Sequence, residues 1–222
     1  MSASLAGRRV LVSAGPTYED IDPVRFLGNR SSGRMGFALA AAAVSLGADT
    51  VLVAGPVHLE TPANVRRIDV RSAADMHAAV LSGLPADIYI GAAAVADWTP
   101  REVASRKLKK QPGVETLALE LVRTADILAD VATHPRRPRC VVGFAAETGD
   151  DAELARYARG KLERKRADFI CANRVGIAGS GFEAEDNALA VFWNDGERRF
   201  GPAPKTRLAA ELLEFIAQRM PG

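Results

Sequence analysis

Short apolar, β-prone runs alternate with helical patterns along most of this chain, and that alternation constrains the fold more than any other feature. The runs are Arg9–Ala14 (RVLVSA), 50–54, 65–70, 88–94, 140–146 and 169–173. Several are apolar almost throughout, as parallel strands covered on both faces are. Helical patterns fall between them at 36–46, 73–81, 126–132 and 152–165. Ser72 precedes the second helix with Asp75 three residues on, the spacing of a capping box. Strand–helix alternation of this kind predicts an α/β fold with an open, mostly parallel, doubly wound sheet. The tail differs. The runs 188–194 and 198–200 flank Asp195-Gly196, a hairpin signal. This C-terminal antiparallel hairpin is expected to extend one edge of the sheet or project from it. An amphipathic helix follows over 205–220. No internal repeat or low-complexity linker interrupts the 222 residues, so 1–222 reads as one domain.

The chemistry of the chain narrows its partners. Apolar residues make up 48%, enough for a core without disulfides or metals. The net charge of +2 does not call for nucleic acid, though a local basic stretch can serve a small anion. Cys140 and Cys171 lie in apolar strand runs and read as reduced core residues, which points to a cytoplasmic location. No leader pattern is seen at the start, and no apolar run reaches the roughly 18 residues of a membrane span. His58, His77 and His134 form no metal-ligand pattern, so metal ligands stay unassigned.

Five segments can carry function. The loop after the first strand runs from Gly15 to about Ser31, far longer than a usual strand-to-helix connection. It ends in Ser31-Ser32-Gly33, where Ser31 or Ser32 can cap the next helix and free N–H groups can face an anion. An ordinary cap and tight turn is the plain alternative. The fourth strand ends in Gly91-Ala92-Ala93-Ala94-Val95-Ala96-Asp97-Trp98, at the end of the sheet where such folds bind ligands. Small side chains such as Ala94 let a flat ring approach the backbone. Asp97 can hold a ribose hydroxyl or a cation, or merely cap a strand end. The segment 97–115 is polar and reads as a mobile loop. Its lysines, Lys107, Lys109 and Lys110, can close over a polyphosphate or form a solvated surface. Lys161 and Lys165 share one helix face, as ligands or as solvated charges. Phe144 can stack on a base or pack in the core. With no serine elbow and no cysteine–histidine pair, positioning and electrostatics are the expected means of catalysis.

Several of these segments together resemble one family, the bacterial phosphopantothenate–cysteine ligases. The matching residues are Ser13-Ala14-Gly15-Pro16-Thr17, Asp22-Pro23-Val24-Arg25, 29–36 (NRSSGRMG), 93–98 (AAVADW), Lys107-Leu108-Lys109-Lys110, 143–148 (GFAAET) and 170–173 (ICAN), in the family's order. The resemblance implies a Rossmann-like sheet, a homodimer, and the joining of 4′-phosphopantothenate to L-cysteine through an acyl-cytidylate. CTP would be the co-substrate and Mg²⁺ the cation on its triphosphate. Asn29 and Arg25 would serve the intermediate. Ser31, Ser32 and Gly33 would cradle phosphate. Asp97, Lys107, the turn Ala125-Asp126-Ile127-Leu128, Phe144, Lys161 and Lys165 would bind CTP. Tyr18, Arg34 and Ala125 depart from the family's usual arginine, lysine and proline. The decarboxylase often fused upstream is not expected within a chain whose first strand starts at Arg9.

Two other readings compete. A nicotinamide-dependent oxidoreductase would want GxGxxG after the first strand and an acidic residue after the second, where Ala54-Gly55-Pro56 stands instead. A non-catalytic nucleotide-binding module would not need Asn29, Arg25 and a basic flap together.

Overall fold

The computed structural model describes residues 4–110, 112–113, 115–174 and 186–220. Its strands are β1 (Arg9–Ala14), β2 (Tyr18–Asp20), β3 (Phe26–Gly28), β4 (Asp49–Ala54), β5 (Val65–Asp69), β6 (Ile88–Gly91), β7 (Trp98–Pro100), β8 (Leu121–Arg123), β9 (Cys140–Glu147), β10 (Phe169–Arg174), β11 (Asp186–Trp193) and β12 (Gly196–Pro204). Its helices are α1 (Arg34–Ser45), α2 (Ala73–Ser82), α3 (Ile127–Thr133), α4 (Asp151–Lys165) and α5 (Lys205–Arg219). Eight strands form one sheet in the order β12-β11-β10-β9-β6-β1-β4-β5. The six from β10 to β5 are parallel. Numbered among themselves they read 3-2-1-4-5-6 from the β5 edge, the Rossmann order. The β11–β12 hairpin pairs antiparallel beside β10 and extends that edge, as its Asp195-Gly196 turn predicted.

Burial explains the apolar strand runs. Every residue of β1 after Arg9 and of β4 after Asp49 is buried. Val10, Val12 and Ala14 face the layer holding α1 and α5. Leu11 faces the layer holding α2, α3 and α4. Cys140 and Cys171 are free and buried in the sheet, and burial pushes both thiols up. The capping box at Ser72 and Asp75 is present. No helix among the described residues is long and apolar enough to cross a membrane.

Three expectations need correction. The long first loop contains a ribbon, β2 paired antiparallel with β3. It is pinned to the body where Glu19 accepts the Ala73 N–H at 2.8 Å, and Tyr18 stacks on Phe26 with centroids 3.9 Å apart. Tyr18 therefore has a packing role in this ribbon. The segment 97–115 likewise begins in a ribbon, β7 paired with β8. Finally, neither Ser31 nor Ser32 caps α1. The cap is Gly33, whose φ of 76° turns the chain into the helix with no side-chain acceptor, a conformation that glycine adopts without steric cost.

Gly36 sets how closely α1 rides on the sheet. A Cβ there would lie 2.4 Å from the Cβ of Ala14. Gly36→Ala should lower stability by about 1–3 kcal/mol despite alanine's better helix propensity. Urea unfolding checks this; an unchanged midpoint would contradict so tight a contact.

Candidate functional site

The strand order reverses at β1, because β4 and β5 lie on one side of it and β6 on the other. A crevice is forced beyond the carboxyl ends of β1 and β6. The two strands stay together past their formal ends: Ala92 N–H donates to Ser13 O at 3.0 Å and Ala94 N–H to Gly15 O at 2.9 Å. Two clefts open from this seam, one toward each helical layer.

The first cleft, about 560 Å³, is bordered by Ser13, Tyr89, Asp97, Arg123, the turn from Ala125 to Leu128, Phe144, Lys161 and Lys165. Asp126 caps α3, accepting the Ala129 N–H at 3.1 Å, and pairs with Lys165 of α4. That ion pair fixes the 125–128 turn against the lysine face of α4. On the sheet, the hydroxyls of Ser13 and Tyr89 meet at 3.0 Å. Burial pushes the Tyr89 phenol up to about 12, partly offset by that hydrogen bond, so the tyrosine stays a neutral hydroxyl.

The second cleft, about 400 Å³, takes Asn29, Ser31, Ser32, Gly33 and Arg34 from the approach to α1 and its first residue. Ala94 and Glu147 come from the sheet side, and Asn173, Asn187 and Lys205 from the far edge. Asp97, Phe144 and Lys161 border both clefts. Lys161 donates to the Phe144 carbonyl at 2.7 Å. Burial lowers its pKa, while the carboxylates of Glu147 and Asp97 act the other way. An ammonium held at the junction of two clefts, partly stripped of water, is a strong attractor for phosphate oxygen.

Most sequence candidates therefore converge: Asn29, Ser31, Ser32, Gly33, Ala94, Asp97, Ala125, Asp126, Ile127, Leu128, Phe144, Lys161 and Lys165 border one cleft or both. Arg25 and Lys107 border neither. The buried Asp22 carboxylate accepts the N–H groups of Val24 at 2.8 Å, Arg25 at 2.9 Å and Leu108 at 3.0 Å. It also pairs with the Arg25 guanidinium, which in turn donates to Leu108 O at 2.9 Å. Ala104 N–H donates to Ile21 O at 3.0 Å. The basic segment is thus tied to the first ribbon, and Lys107 is exposed there. Sequence reading missed Ser13 and Tyr89 as wall residues because their runs read as core. It missed Asn187 and Lys205, single polar residues near a strand start and at a helix start that carry no motif signal.

Known proteins resemble this chain along nearly its whole length. Residues 5–220 match the family described as the DNA/pantothenate metabolism flavoprotein C-terminal domain. The Coenzyme A biosynthesis bifunctional protein CoaBC of Vibrio cholerae is 50% identical over 217 residues, covering 97% of this chain and 54% of that protein. Its counterpart in Bacillus subtilis is 49% identical over 219 residues, covering 97% and 52%. The chain thus spans about half the length of these curated relatives. A crystal structure of the C-terminal domain of a CoaBC protein superposes with a TM-score of 0.81 at 37% identity, covering 98% of this chain and 97% of that one.

The Asp22 cluster makes a prediction. The Arg25 guanidinium, with the three backbone N–H donors, holds the Asp22 carboxyl well below the usual carboxylate range. Its contribution is therefore present at pH above the ordinary value of about 4 and is lost only as pH falls through the lowered one. Amide exchange at Leu108 should stay slow from neutral pH down to about 4. It should accelerate several-fold in Asp22→Asn at neutral pH; equal rates in both proteins would contradict this clamp. Sequence and topology agree: the chain belongs to the DNA/pantothenate metabolism flavoprotein C-terminal domain family, and its fold is that of the C-terminal domain of a CoaBC protein.

Proposed function

We propose that this domain is a phosphopantothenate–cysteine ligase of coenzyme A biosynthesis, joining 4′-phosphopantothenate and L-cysteine at the expense of CTP. The observation that carries the reading is the pair of clefts meeting at Lys161, Asp97 and Phe144. A ligase that activates one substrate with a nucleotide needs two compartments whose contents touch at one phosphorus atom. The family relationship supports the substrate assignment, since its longer relatives are named coenzyme A biosynthesis proteins.

In this reading the cytidine lies in the first cleft, against the 125–128 turn. The 4′-phosphopantothenate carboxylate oxygen attacks the α-phosphorus of CTP, and pyrophosphate leaves with the bonding electron pair. The acyl-cytidylate then bridges the clefts. The amine of cysteine attacks its acyl carbon, CMP departs with the former carboxylate oxygen, and the amine proton is released. Lys161 stabilises charge on the α-phosphate. Asn29, an uncharged donor at the second cleft, grips an oxygen of the intermediate. Ser31, Ser32, Gly33 and the uncapped first turn of α1 offer donors to phosphate.

Mg²⁺ fits this site as an ion carried by the triphosphate. It typically takes one or two protein carboxylates plus phosphate oxygens, and Asp97 is an exposed carboxylate on both clefts. Among the described residues there is no group of three or more metal-ligating side chains that would cage an ion. When bound, the ion would neutralise triphosphate charge. Arg25 and Lys107 belong to the proposal on a different footing, through a homodimer. The ribbon region that carries them exposes Val24, Phe26, Trp98, Val103 and Leu121, an apolar surface suited to a second copy. A partner's ribbon is one way for these two residues to serve a site. We further assign the chain to the cytoplasm, as a single domain fused to or acting with a decarboxylase.

The test is direct. Incubated with CTP, 4′-phosphopantothenate, cysteine and Mg²⁺, the protein should release CMP and pyrophosphate in equal amounts; release of neither would overturn the reading. Asn29→Asp should still release pyrophosphate while amide formation slows by about 100-fold or more, with acyl-cytidylate accumulating. Rapid amide formation by that variant would give Asn29 another role.

A further inference from the structure

Ser13 and Tyr89 border the first cleft with a pair of hydroxyls that meet at 3.0 Å, each residue only 1% exposed. Each hydroxyl carries one proton and can both donate and accept. The bond between them uses one of the two protons. Neither side chain makes a further hydrogen bond among the described residues, so the second proton has no acceptor within that part of the fold. A buried O–H without an acceptor is costly. Burial pushes the Tyr89 phenol up to about 12, so the proton stays in place at neutral pH. The sheet shows where that proton can go. Tyr89 and Gly91 are two apart on β6 and share a face. Ser13 lies opposite Gly91 in the β1–β6 ladder. A Cβ on Gly91 would come 3.4 Å from the Tyr89 hydroxyl oxygen, and its nearest neighbours would all be atoms of that ring. The bare glycine therefore leaves a gap beside the phenol, and all three residues border the cleft. With the gap next to its oxygen, Tyr89 is the outer donor of the pair and Ser13 the inner one. The same cleft is bordered by the 125–128 turn, against which the cytidine lies in the ligase reading.

We propose that Tyr89, oriented by a hydrogen bond from Ser13, donates its phenolic proton through the Gly91 gap to an acceptor atom of the nucleoside in the first cleft. The proposal rests on the ligase reading for which nucleotide enters. Tyr89 is then a binding group for the nucleoside, and Ser13 a positioning residue that acts through it. Two sources share the chemistry: a carbonyl oxygen or ring nitrogen of the base, and a hydroxyl oxygen of the ribose.

Isothermal titration of the full chain tests this, after thermal melts establish folding. Tyr89→Phe removes only the phenolic oxygen and should weaken CTP by about tenfold, with 4′-phosphopantothenate bound as in wild type. Ser13→Ala leaves the phenol its proton and should weaken CTP by about threefold or less. Gly91→Ala fills the gap at ordinary contact distance. It should weaken CTP at least as much as Tyr89→Phe, and it carries the test if Tyr89→Phe does not fold. Titrating dCTP and 3′-deoxy-CTP into wild type and the tested variant separates the two sources. A loss that persists for both analogues puts the acceptor on the base; a loss that disappears for one puts it on that ribose hydroxyl. Wild-type CTP affinity in the tested variant would overturn the proposal, whatever its melting temperature. So would an equal loss for 4′-phosphopantothenate, the mark of a purely structural role. Assays of CMP and pyrophosphate release keep the two ideas apart. Ligase turnover with an unchanged KM for CTP in Tyr89→Phe would sink the hydroxyl contact alone. CTP binding that depends on Tyr89, without amide formation, would sink the ligase reading alone.

Discussion

The reversal of strand order at β1 is the constraint on which the rest depends. With β4 on one side and β6 on the other, the connections leaving these strands diverge to opposite faces and leave a crevice between them. The backbone ladder that continues from Ser13 to Gly15 along Ala92 to Ala94 keeps the seam narrow. Small residues are required along it. Gly36 allows α1 to approach Ala14, and the alanines after Gly91 leave both faces open. The two clefts are a consequence of topology, and their linings then give them chemistry.

That chemistry is a matter of charge held at partial burial. Lys161 is kept at the junction by the Phe144 carbonyl and the fields of Glu147 and Asp97. Lys165 is bound to the α3 cap through Asp126. Lys205 lies in the second cleft near Arg34. A polyanionic ligand spanning both clefts would meet these cations in turn. Fixed donors of this kind reorganise little as charge moves in a reaction, which is the basis of electrostatic catalysis without a side-chain nucleophile.

Much of this was legible in the residues, and the failures have physical causes. The bounds of β1, the capping box at Ser72 and the turn at Asp195-Gly196 follow from apolar period and turn chemistry, which act locally. The ribbons β2–β3 and β7–β8 did not show, because strands of three residues carry too little period to detect and are held by tertiary contacts such as Glu19 with Ala73. A serine cap on α1 was the natural reading of Ser31-Ser32-Gly33, yet glycine's left-handed turn did the work. In the site, Asp97, Phe144 and Lys161 could be named but their meeting could not, since it depends on the pairing of β9 with β6. Arg25 and Lys107 read as site residues from the sequence, but the tie that Asp22 makes between their two segments does not, since residues 22 and 108 meet only in the fold. Asn187 and Lys205 look ordinary until the fold buries them beside the start of α1.

The central claim is that the two clefts deliver a carboxylate and a nucleotide α-phosphate to one point. Supplying 4′-phosphopantothenate labelled with ¹⁸O in its carboxylate, together with CTP, cysteine and Mg²⁺, tests this most directly. The account predicts CMP carrying one ¹⁸O atom from the carboxylate, and unlabelled pyrophosphate. Unlabelled CMP, or label in the pyrophosphate, would contradict it.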